Sequence, residues 1–447
     1  MKKKSASLYL FLIGLGSQTQ IYFIGSIGIS ELILFLIGPI LFFLDYHQLK
    51  GDGFMPFIWL SILTCLGCVL SGTINHTDGV FLLKGLAAPY SVFVATVVIH
   101  RILRRDFSAL KWFILGTFLS GIISIFVFQQ ATYVVRGGVF LEGSEATNAV
   151  MSNPLFWSSK IAMLLSLPIS MGYLSTPYSY SAIMPFIMAL IRILFSDSSG
   201  RAAALVSCLA GFYIAIAGKS VRRMRQIGRN FIFVVMLLVV FLMVGKQVYV
   251  YAAANNYLGE KAREKYYKQT QGSSSALKII MGGRIEFFTA IRACFDKPII
   301  GFGPKPLDEK GYYEDMLRSY GNPDDYDAYT QSRIAQAKVG ITAHFIPAHS
   351  YLASFWLQYG IIGLFFWLYV LWMFLKFFTK YSYGIPQWYG YCTLAIAGFL
   401  WDIFFSPFSG RIATAVLMSC ILFARAVIWG RVSLPWELQD EVMRRCQ

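Results

Sequence analysis

Residues His344 to Gly363 read "HFIPAHSYLASFWLQYGIIG". The chain has only five histidines in 447 residues, and two of them, His344 and His349, stand five apart here. Upstream lies a long polar segment; downstream an apolar run begins that is long enough to cross a bilayer, which takes about 20 residues. This junction decides the fold class, because the same change from polar to apolar recurs along the chain. Hydrophobic residues make up 56% of the sequence, aromatic residues 17% and charged residues only 14%, whereas soluble domains carry about a quarter charged residues. The reading is an all-α polytopic membrane protein.

Twelve spans are expected. They run Ser7–Gly25, Ile29–Leu44, Phe54–Leu70, Val80–Ile99, Ala109–Phe128, Ser159–Leu174, Tyr180–Phe195, Ala202–Ala217, Phe231–Val250, Ile361–Phe378, Tyr389–Phe405 and Ile412–Val427. The opening "MKKKSASLYLFLIG" has the cationic start and apolar run of a signal peptide, but no small-residue cleavage site follows, so it is read as a retained first helix. The seven cysteines form no pairing framework, and Cys65 and Cys68 read as two small core residues.

The formal charge of +16 follows the topology. One set of connections, "MKKK", "HRILRRDFSALK", "GKSVRRMRQIGRN" and "GRVSLPWELQDEVMRRCQ", is rich in Lys and Arg, while the alternate set, "SGTINHTDG", "SDSSG" and "SPFSG", is not. The basic set reads as cytoplasmic, with both termini inside. The surplus charge is then topology and contact with anionic lipid, and nucleic acid is excluded as a partner. Residues 1–250 hold nine helices with an outer segment at 129–157. Residues 251–348 form a large, partly helical extracytoplasmic loop or cap, 349–430 the last three helices and 431–447 a cytoplasmic tail.

Ionisable residues inside spans are costly and usually functional. Lys84, Lys160, Arg192, Arg201, Asp402 and Arg411 all fall in the outer half of their spans. Snorkelling to the interface explains any one of them, but explains poorly the depth of Lys84 or a cationic set on the outer side. A shared anionic ligand explains the set. Arg forks match phosphate oxygens two at a time and Lys supplies a point charge, so a phosphate-bearing lipid headgroup in a cleft under the cap is expected. His349 begins the helical stretch at the mouth of that cleft and can take a proton from a hydroxyl. A helix-terminal His bonded to backbone is the plainer alternative, and His344 serves equally well on spacing alone.

At these residues the chain resembles the O-antigen ligase and O-antigen polymerase superfamily. "AHSYLASFWLQYGIIG" is similar to its late-helix signature of a His followed by Leu and a G-x-x-G pair, with Ser350 where Asn is common. "GGRIEFFTAIRACFDKPIIGFGP" resembles its outer-loop motif, an Arg ahead of P-x-x-G-x-G. "SDSSGRAAALV" resembles its Ser-Arg helix entry, with Gly200 inserted between Ser199 and Arg201. The resemblance implies a GT-C-like glycosyltransferase of the bacterial cytoplasmic (inner) membrane. It would need no cofactor and no metal, and would use a polyprenyl-diphosphate-linked glycan as donor at the outer face. It assigns His349 as the base, Arg284 and Arg201 as diphosphate-binding arginines and Lys84 as a family lysine of the fourth span. Asp402, Arg411, Arg192, Arg292 and His344 are supporting candidates.

The chemistry fits. Glycan transfer from a lipid diphosphate to a hydroxyl needs a base, worth about 10²–10⁴-fold, and neutralisation of charge growing on the diphosphate. The dense acidic cluster Asp324, Asp325 and Asp327 lies in a Pro-containing turn and reads as a solvated loop. The leading expectation is a polymerase of surface-polysaccharide repeat units, because "GSIGISELILFLIGPILFF" resembles the opening of polymerase members. A ligase, which moves the finished chain to lipid A-core or another acceptor, shares donor and site. Chain-length regulators and flippases are protein partners this setting brings in. A flippase or transporter for the same lipids is the reading from a different class; it would more often show repeats and midplane binding groups, and turnover by purified protein separates the two.

Overall fold

The computed structural model describes residues 3–17, 20–22, 26–126, 134–135, 139–140, 187, 250–257, 260, 263, 266–267, 285–320, 326–327, 329–331, 344–385, 388–406, 408 and 410–432. The architecture is mostly helical. Helices α1 (Lys3–Gly16), α2 (Ile29–Gly51), α3 (Met55–Ile74), α4 (Gly79–Leu103) and α5 (Leu110–Phe126) come first. Then follow α6 (Ile285–Asp296), α7 (Tyr312–Tyr320), α8 (Tyr351–Tyr359), α9 (Ile361–Lys376), α10 (Tyr389–Phe405) and α11 (Arg411–Ile428). Among the described residues five helical segments are long and apolar enough to cross a membrane: Ile29–Gly51, Met55–Ile74, Gly79–Leu103, Ile361–Tyr381 and Arg411–Ile428. Shorter apolar helices cover Ser5–Gly16, Phe107–Ile123 and Tyr391–Phe404. The expected sixth to ninth spans, apart from single positions, lie outside the described residues.

The first expected span, Ser7–Gly25, is corrected. Helix α1 stops at Gly16, and Ser17 turns its hydroxyl back onto the Gly14 carbonyl at 2.7 Å. The polar run from Ser17 to Gln20 cannot extend an apolar helix. It enters instead a two-stranded hairpin, β1 (Gln20–Tyr22) paired antiparallel with β2 (Ser26–Gly28). A second small hairpin pairs β3 (Val134–Val135) with β4 (Val139–Phe140) in the expected outer segment, so the described residues are helical with two small β additions.

Helix α4 is the centre of the bundle and packs against α2, α3 and α11, while α1 packs along α5 and α9 along α3. Small residues set these approaches, as is usual where helices must meet closely in lipid. A Cβ on Gly38 of α2 would sit 3.0 Å or less from Val94 of α4. The core between helices is aromatic, with Trp367, Phe54, Phe57, Phe366 and Phe377 fully buried. The outward row of α2 is different: Leu36, Ile40, Phe43 and Leu44 are all strongly exposed, an apolar surface of the kind a membrane-spanning helix turns to lipid.

Charges gather at both ends of the bundle. At one end His100 and Asp52 meet at 2.8 Å with both side chains buried, Arg104 also approaches Asp52, and Arg101 pairs with Asp45 at 3.0 Å. The site described next lies at the other end.

Candidate functional site

Two segments far apart in sequence frame the site. The first runs from α6 through "KPIIGFGPKP"; the second is the His349–Gly363 stretch that opens α9. Ser350 is the N-cap of α8: its hydroxyl accepts from the Ala353 N–H at 3.0 Å and donates to the Ile403 carbonyl at 2.7 Å. Ser thus satisfies an otherwise orphaned helix-end donor and ties α8 to α10. His349 precedes that cap, so it does not begin the helix as the periodicity suggests; the helix proper starts at Tyr351. Being outside the helix leaves its ring accessible, with 58% of the side chain exposed.

The two segments interlock through their backbones. The Phe302 N–H donates to the Leu357 carbonyl at 2.7 Å, and the Ile361 N–H donates to the Ile299 carbonyl at 3.0 Å. The Trp356 indole N–H donates to the Pro298 carbonyl at 3.0 Å. Contact this close requires glycine at Gly360, whose φ of +65° and ψ of −151° lie where L side chains are strained. There a Cβ would collide with the Ile299 carbonyl. The P-x-x-G-x-G turn and the G-x-x-G pair are therefore two halves of one joint.

Around this joint opens a cleft of about 800 Å³, within the usual range for ligand pockets. Its polar lining includes Lys84, Lys305, His349, Gln358, Tyr359 and Arg411, and its apolar lining includes Ile27, Phe35, Leu83, Ala87 and Tyr90. The structure brings His349, Lys84 and Arg411 together, as expected from sequence. His344 does not line the cleft; its carbonyl accepts from the Asp308 N–H at 2.7 Å and its ring packs edge-on to Tyr329. Asp402, in the last turn of α10, is likewise not among the cleft-lining side chains. Arg292 is corrected too. It lies in a separate polar pocket of about 430 Å³ with Asp296, Lys310 and Tyr312, because the pitch of α6 points it away from the cleft. In that network Lys310 and then Tyr312 hold the Asp296 carboxyl below its ordinary range. Arg284, Arg201, Arg192 and Lys160 lie outside the described residues, as do Asp324 and Asp325.

Three site residues escape the sequence reading. Glu31, in the first turn of α2, pairs with Arg411 at 3.1 Å, and the same carboxylate oxygen accepts the Gly28 N–H at 3.0 Å. Glu31 is thus a further acid within the expected spans beside Asp402, and it compensates Arg411. A sequence signal existed, since Glu three residues after a helix cap is a known end-capping pattern. Glu286 of α6 stands 3.9 Å from His349 Nδ1, within pairing distance of a protonated ring. Lys305, just after the P-x-x-G-x-G turn, lines the cleft with Lys84. Among the described residues no three His, Cys, Asp or Glu side chains converge as metal ligands do.

The arrangement offers an accessible imidazole with a carboxylate beside it, and cations and apolar side chains lining one cleft. Compared with known families, residues 184–368 match the model described as O-antigen ligase. That range contains both interlocked segments. No significant match was found among curated proteins or solved structures.

Proposed function

From membership of the O-antigen ligase and polymerase superfamily, carried by residues 184–368, we propose that this protein is a membrane glycosyltransferase. It extends a surface polysaccharide from polyprenyl-diphosphate-linked repeat units at the outer face of the bacterial cytoplasmic membrane, with both termini cytoplasmic. A twelve-span, GT-C-like body with residues 251–348 as an extracytoplasmic cap belongs to the same proposal. The observation that carries it is the mixed lining of the cleft: Lys84 and His349 together with apolar Ile27, Phe35, Leu83 and Ala87. A polyprenyl diphosphate likewise combines a charged head and an apolar tail.

In the reaction the acceptor hydroxyl oxygen attacks the anomeric carbon of the donor sugar. The bond from that carbon to the diphosphate oxygen breaks, and the polyprenyl diphosphate leaves with the electron pair. His349 takes the hydroxyl proton, worth about 10²–10⁴-fold. Glu286, 3.9 Å from Nδ1, orients the ring and stabilises the imidazolium, leaving Nε2 to face the hydroxyl. Lys84, with Arg284 and Arg201, offsets the charge that grows on the leaving diphosphate, as fixed cations do well in a site of low water content.

The ligase reading is favoured by one observation, the O-antigen ligase description of the matching family model. It needs the same donor and base and differs in acceptor. Purified protein in detergent, given a lipid-linked oligosaccharide and either a second lipid-linked unit or a lipid A-core acceptor, separates the two. His349→Ala should lose at least about a hundredfold in transfer while eluting as the wild type does. Turnover near the wild-type level in that variant would end the proposal that His349 is the base; loss in His344→Ala alone would reassign it.

A further inference from the structure

The cleft holds a second lysine with a defined setting. Lys305 has a φ of +54°, a left-handed conformation that is uncommon for a residue with a side chain. Its neighbours over-determine it. Pro304 packs into the space where Gly85 of α4 has no Cβ, and the Pro306 carbonyl accepts the Ile346 N–H at 2.9 Å. Strained backbone held this way clusters at ligand clamps.

Two aromatic rings then order the ammonium groups. Lys84 Nζ lies 5.5 Å from the centre of the Phe81 ring and Lys305 Nζ lies 5.7 Å from that of Phe345. Phe81 and Phe345 themselves meet edge to face at 5.4 Å. One ring comes from α4 and the other from the segment leading to His349, so the aromatic pair links the two lysine positions. Among the described residues no carboxylate forms an ion pair with either lysine, whereas Arg411 is compensated by Glu31 at 3.1 Å. Two like charges on one cleft, without a carboxylate partner among the described residues, favour a ligand with two negative charges.

We propose that Lys305 and Lys84 form a two-point clamp for the diphosphate of the donor, with Arg411 held out of that role by Glu31. The inference rests on the reading of the cleft as a lipid-diphosphate site and adds a residue that the family motifs do not supply. A diphosphate presents a charged group to each ammonium; a monophosphate engages one. The apolar side chains that line the cleft with the lysines make a lipid diphosphate, rather than free pyrophosphate, the better-matched source.

The test is binding of polyprenyl diphosphate, polyprenyl monophosphate and inorganic pyrophosphate to the purified full chain in detergent. Lys305→Gly removes the charge while glycine adopts the φ of +54° without cost, so a loss of binding reads the charge and not a displaced loop; Lys305→Arg keeps the charge. The expected result is that wild type prefers the diphosphate lipid, Lys305→Gly weakens it about tenfold with little change for the monophosphate, and Lys305→Arg recovers most of the loss. A tenfold change is the size of one modest charge-assisted contact. In turnover, Lys305→Gly should raise KM for the donor far more than it lowers kcat. Wild-type binding with Lys305→Gly unchanged overturns the clamp alone. Wild type that binds none of the three overturns the cleft reading and the clamp with it. Equal binding of pyrophosphate and the lipid diphosphate overturns the choice of a lipid source.

Discussion

Replacing Gly360 by alanine should prise apart the two segments that frame the cleft. Gly360 has φ +65° and ψ −151°, a region almost reserved for glycine, where a side chain costs about 1–3 kcal/mol. A Cβ would also collide with the Ile299 carbonyl oxygen and lie 2.6 Å from the Ile300 carbonyl carbon. These are backbone atoms and cannot rotate aside, so the loop must move. That breaks the Ile361 to Ile299 and Phe302 to Leu357 hydrogen bonds, each worth roughly 0.5–1.5 kcal/mol. Strain and lost bonds together amount to roughly 2–6 kcal/mol of local opening energy. At about 1.4 kcal/mol per factor of ten, amide exchange at Phe302 and Ile361 should speed up at least about thirtyfold. Hydrogen exchange read by mass spectrometry on peptides spanning 298–303 and 359–363 measures it. Gly430→Ala is the control: it too has φ +65°, but nothing lies within 4 Å of the added Cβ, and it should leave those peptides unchanged. Transfer activity should fall in Gly360→Ala and not in the control. Protection at Phe302 within threefold of wild type would refute the joint between the motifs.

Other outcomes follow from the same site. Arg284→Ala and Arg201→Ala should weaken or abolish transfer, with Arg→Lys a poor rescue because the two-pronged contact with phosphate oxygens is lost; full activity of the Lys variants would refute bidentate binding. Transfer with a defined lipid-linked donor should persist in excess EDTA, since cations already offset the leaving group; activity lost in EDTA, restored by Mg²⁺ and removed again by Asp324→Ala or Asp325→Ala would overturn that mechanism. Glu286→Gln keeps the shape but removes the charge 3.9 Å from His349. It should lower kcat by about tenfold, the order of a weakened charged contact, with donor KM held; unchanged kcat would remove Glu286 from the reaction. Burial pushes the Cys294 thiol of α6 up to about 12, and its sulfur lies 3.9 Å from the Ala353 carbonyl. At pH 8 it is therefore neutral and should resist a maleimide until the protein is denatured; rapid labelling of the native protein would show that α6 does not pack on α8 as described.

Much of the helical frame was legible from sequence, because the preference of a 20-residue window for lipid is a property of that window alone. The expected spans Tyr389–Phe405 and Ile412–Val427 coincide with, or fall one residue short of, α10 and α11. The failure at Ser7–Gly25 came from ranking apolar content above the polar run after Gly16. His349 and Lys84 were also legible, as scarce polar side chains at the edge of apolar runs, and the cleft contains both. Which side chains meet was not legible, because pairing is a property of two positions at once. Glu31 and Arg411 are separated by 380 positions, and each alone looks like a charge near a helix end; only the packing of the helix ends makes them a pair that takes Arg411 out of the free cation count. Lys305 reads as a turn residue until its loop closes against α4, and Glu286 as a solvated first-turn acid until α6 packs on α8. The periodicity of α6 could not say that Arg292 turns away from the cleft while Glu286 turns toward His349, since a helix displays every face until a neighbour covers one. Composition and hydropathy thus determined that the described part of the chain forms apolar helices and roughly where most of them begin and end. Long-range packing, through backbone contacts such as Gly360 on Ile299 that leave no room for a Cβ, decided which of its few polar groups share one cleft.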